Sequence, residues 1–298
     1  MQYPRPLQPG DKVVILSPAS KIKPELVDGA CTTLRNCGLI PIVSAHCKGE
    51  HGSYSGTVEE RLTDLTDALA DPEVRAIICS RGGYGVVHLL PHLTAEAFRR
   101  DPKWIVGFSD ISALHAASVT AGVASIHASM CKHLTNHPED QCNTALMNIL
   151  RGHMPEYRLP AHPYNRCGEA EGRLVGGNMA VLTGLVSTPF DLLTGDNILF
   201  IEDIAEAIYK VERMLYTLRL NGTLARTKGL IVGRFTLYEP DRDHKSMEEM
   251  ITEMVADYDF PVVFDFPLGH VDENMPLIEG CHARLSVTPE GVTLKMSR

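Results

Sequence analysis

KWIVGFSDISALH, Lys103 to His115, decides how this chain is read. A short apolar run, WIV, breaks at Gly107-Phe108-Ser109-Asp110 and passes straight into a small-residue segment with helical character. An apolar run without polar alternation suits a strand covered on both faces, and a strand that turns at once into a helix is the unit of a parallel α/β sheet. Two readings of the turn are open. Ser109 or Asp110 caps the next helix, as Ser and Asp often do. Alternatively Ser109 is a nucleophile, its hydroxyl projected by the turn and the next helix's amides aimed at a developing oxyanion. The nucleophile elbow GxSxG is matched only in part, because Ile111 stands where the second glycine would be.

Outward from this stretch the same alternation continues. DKVVILSP reads as a strand, Pro24 to Cys37 as a helix, GLIPIVS as a strand, and RAIICS as another buried strand before the tight loop SRGGYG. TVEERLTDLTDALADP places Val58, Leu62, Leu65 and Leu69 at helical spacing, with its charges on the other face. ASIHASM follows the helix that begins in DISALH. The pattern lapses in RGHMPEYRLPAHPYNRCGEAEG, where proline is frequent and periodicity is lost. It resumes with strands in NILFIED, GLIVGRF and FPVVFDFPLGH and helices in MAVLTGLVS, AEAIYKVERMLYTLRLNG and Ser246 to Tyr258. The tail LIEGCHARLSVTPEGVTLKMS alternates as antiparallel strands do. These observations predict an α/β fold with a first domain over 1–153, which carries Ser109, a linker over 154–170 and a second α/β domain over 171–298.

Composition narrows the function. A net charge of −9, from 37 acidic and 28 basic residues, argues against a nucleic-acid partner but allows an anionic small substrate held locally. No stretch approaches the ~20 apolar residues of a membrane span, and the N-terminus lacks a signal-peptide core, so a cytoplasmic protein without a membrane partner is expected. The eight cysteines contain no CxxC pair and read as reduced thiols. His88/His92 and His133/His137 have helical spacing but lack the HExxH glutamate, and prolines disturb both, so no metal and no cofactor are expected. Asp241-Arg242-Asp243-His244-Lys245 reads as a solvated loop.

In open parallel sheets ligands sit beyond the carboxyl ends of the strands. Those ends carry Ser109, the segment Ser80-Arg81-Gly82-Gly83, Glu202-Asp203 and His270. A hydroxyl, a carboxylate and an imidazole are the set that acyl transfer by serine requires. Each has a plainer reading. SRGGYG is either an anion cradle or a turn needing positive φ, and it fails as a dinucleotide fingerprint at His88. Glu202 is either a partner for histidine or a first-turn acid of the next helix. His270 is either a general base or a solvated turn residue.

With these residues in view, the chain resembles the LD-carboxypeptidase family of serine peptidases, which includes microcin-immunity peptidases. The resemblance runs through GDKVVILSPAS, ERLTDLTDALADPEVRAIICSRGGYG, KWIVGFSDISALH, GRLVGGNMAVLTGLVSTP, LFIEDIAEAIYKVERMLYTL and FPLGHVDENMPLIEG in order. It implies a Ser109-Glu202-His270 triad and an oxyanion hole from the amides of Gly83 and Asp110. It also implies a first domain with a doubly wound sheet like that of class I glutamine amidotransferases, a smaller α/β second domain, and a homodimer. The implied reaction is hydrolysis of an L,D-amide, releasing terminal D-Ala from murein tetrapeptide during peptidoglycan recycling. Arg81 and Arg213 are candidates for the substrate carboxylate. Asn178 is either a substrate contact or a turn residue. Where the family commonly has His-Gly-Pro this chain has His127-Ala128-Ser129, which bears on substrate shape. The alternative with the same machinery is cleavage of peptide-nucleotide conjugates, and that of another class is a non-catalytic anion-binding module.

Overall fold

The computed structural model describes residues 1–240 and 246–298, so the reading of Asp241 to Lys245 lies outside the described residues. The chain forms two compact units, one of 1–153 with 275–280, the other of 154–274 with 281–298.

In the first unit, β1 (Lys12–Leu16), α1 (Pro24–Asn36), β2 (Ile40–Val43), α2 (Val58–Ala70) and β3 (Val74–Cys79) follow one another. The short α3 (Ala95–Arg99) leads to β4 (Trp104–Gly107), α4 (Ser112–Thr120) and β5 (Ser125–His127), and α5 (Cys131–Asn136) and α6 (Gln141–Leu150) complete the run. The strands lie parallel in the order β5-β4-β3-β1-β2. Their order reverses between β1 and β3, the place where open α/β sheets bind ligands. Ile77, Ile78, Ile105 and Val106 are fully buried, as a sheet covered on both faces demands. Trp104 is buried in β4 as its sequence context predicted. α2 differs from expectation. Arg61 and Asp64 are buried along with Leu65 and Leu69, because their polar ends are consumed by loop backbone and by His46 and Ser44.

The second unit opens with β6 (Glu156–Pro160) and β7 (Gly168–Asn178), so the proline-rich stretch read as linker holds strand structure. β6 is an edge strand, and Pro160 is its last residue, where a missing N–H is tolerated. α7 (Met179–Thr183), β8 (Asn197–Ile204), α8 (Ile208–Leu220), α9 (Thr223–Arg226), β9 (Gly229–Thr236), α10 (Met247–Met254) and β10 (Val262–Val263) follow. Ile208, Val211, Leu215 and Leu218 form the buried stripe of α8 that the spacing predicted. The strand expected over FPVVFDFPLGH is only two residues long. Asp265 adopts φ 64° and Pro267 has no N–H to give, so the chain leaves the sheet there.

The tail then divides. β11 (Leu277–Glu279) joins the first unit's sheet, antiparallel to β5, while β12 (His282–Thr288) and β13 (Gly291–Ser297) form a hairpin in the second unit. The second sheet, in the order β10-β9-β8-β7-β12-β13-β6, is parallel from β10 to β7 and antiparallel beyond. The protein thus has a mixed α/β fold in two units, each built on parallel strands. Among the described residues no helix is long and apolar enough to cross a membrane.

Candidate active site

Ser109 follows β4 directly and adopts φ 65°, a left-handed conformation that costs a non-glycine residue about 1–2 kcal/mol. The cap position of α4 falls on Ile111, two residues later, so neither Ser109 nor Asp110 is its N-cap. Asp110 is instead buried, and its Oδ2 accepts from the amide of Val86 at 2.9 Å, tying the serine turn to the end of the SRGGYG loop. Burial pushes the Asp110 carboxyl above its usual range, against the lowering effect of the Val86 and Gly85 amides, His88 and Arg61. His115, one turn into α4, is fully buried and donates from Nε2 to the carbonyl of Gly107 at 2.8 Å. Burial depresses its pKa to about 4, so the ring is neutral at pH 7 and serves as a clamp on the residue before the turn.

The SRGGYG loop passes against the serine. A methyl group at Gly82 would meet Ser109 Cβ at 2.9 Å, Ser109 Oγ at 3.0 Å and the Asp110 amide nitrogen at 3.2 Å. Only a residue without a side chain allows this approach. Gly83 has φ +105°, and a side chain there would overlap Ser20 Oγ. Ser20 in turn gives its amide to the Gly82 carbonyl at 3.2 Å. Gly82, Gly83, Ser109 and Asp110 are therefore gathered in the first unit. Arg81 is exposed in the same loop and donates to the Lys21 carbonyl at 3.0 Å.

In the second unit Glu202 lies within β8, fully buried and well ahead of α8, which excludes the first-turn reading. Its Oε2 is 2.8 Å from Nδ1 of His270, and only 16% of the His270 side chain is exposed. A carboxylate can only accept, so Nδ1 carries the proton and Nε2 is the basic nitrogen. Gly269, at φ +113°, turns the chain into His270, and a methyl there would meet Glu202 Oε2 at 2.9 Å. The turn is fixed by the Gly269 amide to Asn274 Oδ1 at 2.9 Å and by the Arg234 amide to the Leu268 carbonyl at 2.9 Å. Beside β8, β9 carries an extra residue, since Ile201 pairs with Val232 but Asp203 with Phe235. Such a bulge re-aims side chains, and here two adjacent acids, Glu202 and Asp203, are both buried.

Asp203 accepts from Asn178 Nδ2, the Ala180 amide and the Ile204 amide, at 2.8–2.9 Å. Burial, with a smaller contribution from Glu202, raises its pKa to about 6. Asn178 is the N-cap of α7, its Oδ1 accepting from the Val181 amide at 3.2 Å. Arg213 is on the exposed side of α8, stacked on Tyr209 with 5.6 Å from its guanidinium carbon to the ring centre. His133 Nε2 pairs with Asp140 Oδ2 at 2.7 Å, and with buried Cys142 their ligand atoms lie within 4.8 Å of one another. Asp140 also caps α6 through its other oxygen, and Cys142 Sγ contacts Met275 Sδ at 3.6 Å, so these groups already serve packing and capping. Arg61, His115 and Asn274 were not singled out by sequence, and Asp203 was named only as the neighbour of Glu202. Gly82, inside SRGGYG, carried a signal.

Residues 13–128 match the LD-carboxypeptidase N-terminal domain and residues 171–285 the LD-carboxypeptidase C-terminal domain. The murein tetrapeptide carboxypeptidase of Pseudomonas aeruginosa is 32% identical over 90% of this chain and 91% of its own. The microcin C7 self-immunity protein of Escherichia coli is 26% identical over 85% of this chain and 83% of its own. The crystal structure of muramoyltetrapeptide carboxypeptidase from Oxalobacter formigenes superimposes with a TM-score of 0.89 at 25% identity, covering 96% of this chain and 99% of that one. The chain belongs to the LD-carboxypeptidase family and is a peptidase of that family.

Proposed function

We propose that this peptidase cleaves the amide between an L-configured centre and a terminal D-amino acid, using Ser109, His270 and Glu202 as a triad. The observation that carries the reading is the 2.8 Å contact of a fully buried Glu202 carboxylate with His270 Nδ1. Such a pair fixes the imidazole tautomer and stabilises the imidazolium that forms when Nε2 takes a proton. Ser109 Oγ attacks the substrate carbonyl carbon as His270 removes its proton. The C–N bond then breaks, and His270 returns the proton to the departing amine. Water, activated by the same ring, hydrolyses the acyl-serine.

The amides of Gly83 and Asp110 receive the oxyanion, each such donor contributing about 3 kcal/mol or more in other serine hydrolases. The close approach of the loop to Ser109 supports this assignment. The substrate's terminal carboxylate is met by Arg81 or Arg213, with Asn178 as a further contact. The substrate is murein tetrapeptide losing D-Ala in cytoplasmic peptidoglycan recycling, and the relatives named for murein tetrapeptide support that choice. Residues 1–153, with a sheet of the class I glutamine amidotransferase kind, form the nucleophile domain. Residues 275–280 complete that unit, residues 154–274 and 281–298 build the second domain, and the enzyme acts as a homodimer.

The test compares D-Ala release from L-Ala-γ-D-Glu-diamino acid-D-Ala with release of L-Ala from the all-L peptide. Preferential release of D-Ala is expected, and equal rates contradict the stereochemical assignment.

A further inference from the structure

Arg61 is a guanidinium almost wholly out of water, 1% exposed, and it donates to backbone carbonyls and approaches a histidine ring. Its Nη1 donates to the carbonyls of Pro18 at 2.7 Å and Gly85 at 2.9 Å, and its Nε donates to the Gly56 carbonyl at 3.2 Å. Nη2 approaches His88 Nδ1 at 3.4 Å, and the guanidinium carbon stands 5.0 Å from the centre of the Tyr54 ring. These three carbonyls belong to three different segments: the loop after β1, the turn into α2, and the loop after β3. Burying a cation against neutral carbonyls is costly, and a hydrophobic residue of similar volume fills such a space more cheaply. What arginine supplies that an apolar side chain lacks is a rigid planar fork holding several acceptors in one fixed arrangement.

That arrangement converges on one residue of the SRGGYG loop. The carbonyl of Gly85, a residue at φ +128°, accepts from Arg61 Nη1, and the Gly85 amide acts on the Asp110 carboxylate, which also accepts from the next amide, that of Val86. Gly85 is also where the space closes, for a methyl there would meet Arg61 Nη1 at 2.9 Å and the Tyr54 ring at 3.0 Å. The loop is thus gripped on its acceptor side by α2 and on its donor side by the residue after Ser109. Two residues upstream of this double grip is Gly83, and Gly82 touches Ser109.

We propose that Arg61 is a positioning residue which, with the Asp110 carboxylate, holds the 81–86 loop so that its amides are aimed at the oxyanion formed at Ser109. The proposal rests on the reading of Ser109 as the nucleophile. Arg61 itself touches no reacting atom, and its contribution is to the geometry of the transition state rather than to substrate affinity. Attack by Ser109 on a fluorophosphonate also places a phosphoryl oxygen in the oxyanion hole, so the rate of that labelling reports the same geometry without the peptide.

The experiment uses the full-length protein and the variant Arg61→Met, with kcat and KM for the tetrapeptide, the labelling rate constant at Ser109, and the folded fraction by circular dichroism. Misplacement on the scale of an ångström costs about a hundredfold, so kcat per folded molecule and the labelling rate are expected to fall together by about tenfold to a hundredfold. KM is expected to stay within about threefold of wild type, because the loop's aim matters mainly once charge has developed. Arg61→Lys, which keeps a cation able to reach Pro18 or Gly85, recovers part of the loss. If Arg61→Met does not fold, Asp110→Ala releases the loop from its other side and is read by the same two rates.

Wild-type kcat and labelling rate in the folded variant overturn the proposal, as does a change in KM alone. If the wild-type enzyme itself is not labelled at Ser109, it is the nucleophile assignment that fails. If the wild type is labelled and the variants match it, the assignment stands and only the clamp is lost.

Discussion

Glu202 Oε2 lies 2.8 Å from His270 Nδ1, and the carboxylate that makes this contact has no exposure to solvent. The pair is assembled inside one unit, from the end of β8 and from the turn that Gly269 and Asn274 hold. Replacing Glu202 by Gln keeps the shape but removes the acceptor-only character that fixes the imidazole tautomer. Glu202→Gln is expected to lower kcat by about 10³–10⁴-fold with little change in circular dichroism, as found for the amide replacement in other triads. Steady-state kinetics on the tetrapeptide check this, and a loss below tenfold contradicts the role given to Glu202.

Ser109 is held at φ 65°, where glycine rests without strain. Ser109→Ala and Ser109→Gly are both expected to abolish turnover while folding normally. Because alanine keeps the left-handed penalty and glycine does not, Ser109→Gly is expected to equal or exceed Ser109→Ala in stability, by up to about 1 kcal/mol. Denaturant unfolding of the two variants measures the difference.

Gly82 leaves no room for a side chain beside the serine. Gly82→Ala places a methyl 2.9 Å from Ser109 Cβ, closer than such atoms come, so the loop or the turn must shift. A loss of about a hundredfold in kcat is expected from that displacement. Thermal unfolding run beside the kinetics separates it from a loss of folded protein.

Asp203 carries a pH signature. Its pKa is raised from 3.8 to about 6 by burial, so the folded state binds its proton more tightly than the unfolded state does. The stability tied to this proton is fully present below pH 3.8 and is lost as pH rises through about 6, on the order of 3 kcal/mol in all. Asp203→Asn has no proton to lose. Its stability relative to wild type is therefore expected to rise between pH 4 and 7, and a difference independent of pH contradicts the assignment.

The sequence made some of this legible and hid the rest for physical reasons. WIV, AIIC and ILFI are unbroken apolar runs, and buried parallel strands leave that trace at any position in a sheet. Leu277-Ile278-Glu279 looks locally like the start of the tail's antiparallel strands, yet it pairs with β5 while His282–Thr288 pairs with β7. Alternation reports which face is covered but not which sheet does the covering. Ser109, Glu202 and His270 could be picked out because each follows or ends an apolar run. Arg61 could not, since its partners are backbone groups of distant loops, and a charge on a helix reads as solvated until those groups surround it. The strand in Glu156–Pro160 was masked by proline, which an edge position tolerates.

The claim at the centre of the account is that Ser109 attacks the substrate. Peptide mapping by mass spectrometry after treatment with a fluorophosphonate tests it most directly, with tetrapeptide cleavage followed in parallel. The account predicts one adduct, on Ser109 within GFSDISALH, accumulating in step with loss of D-Ala release and absent from Ser109→Ala. Inactivation with Ser109 unmodified, or wild-type D-Ala release by Ser109→Ala, contradicts it.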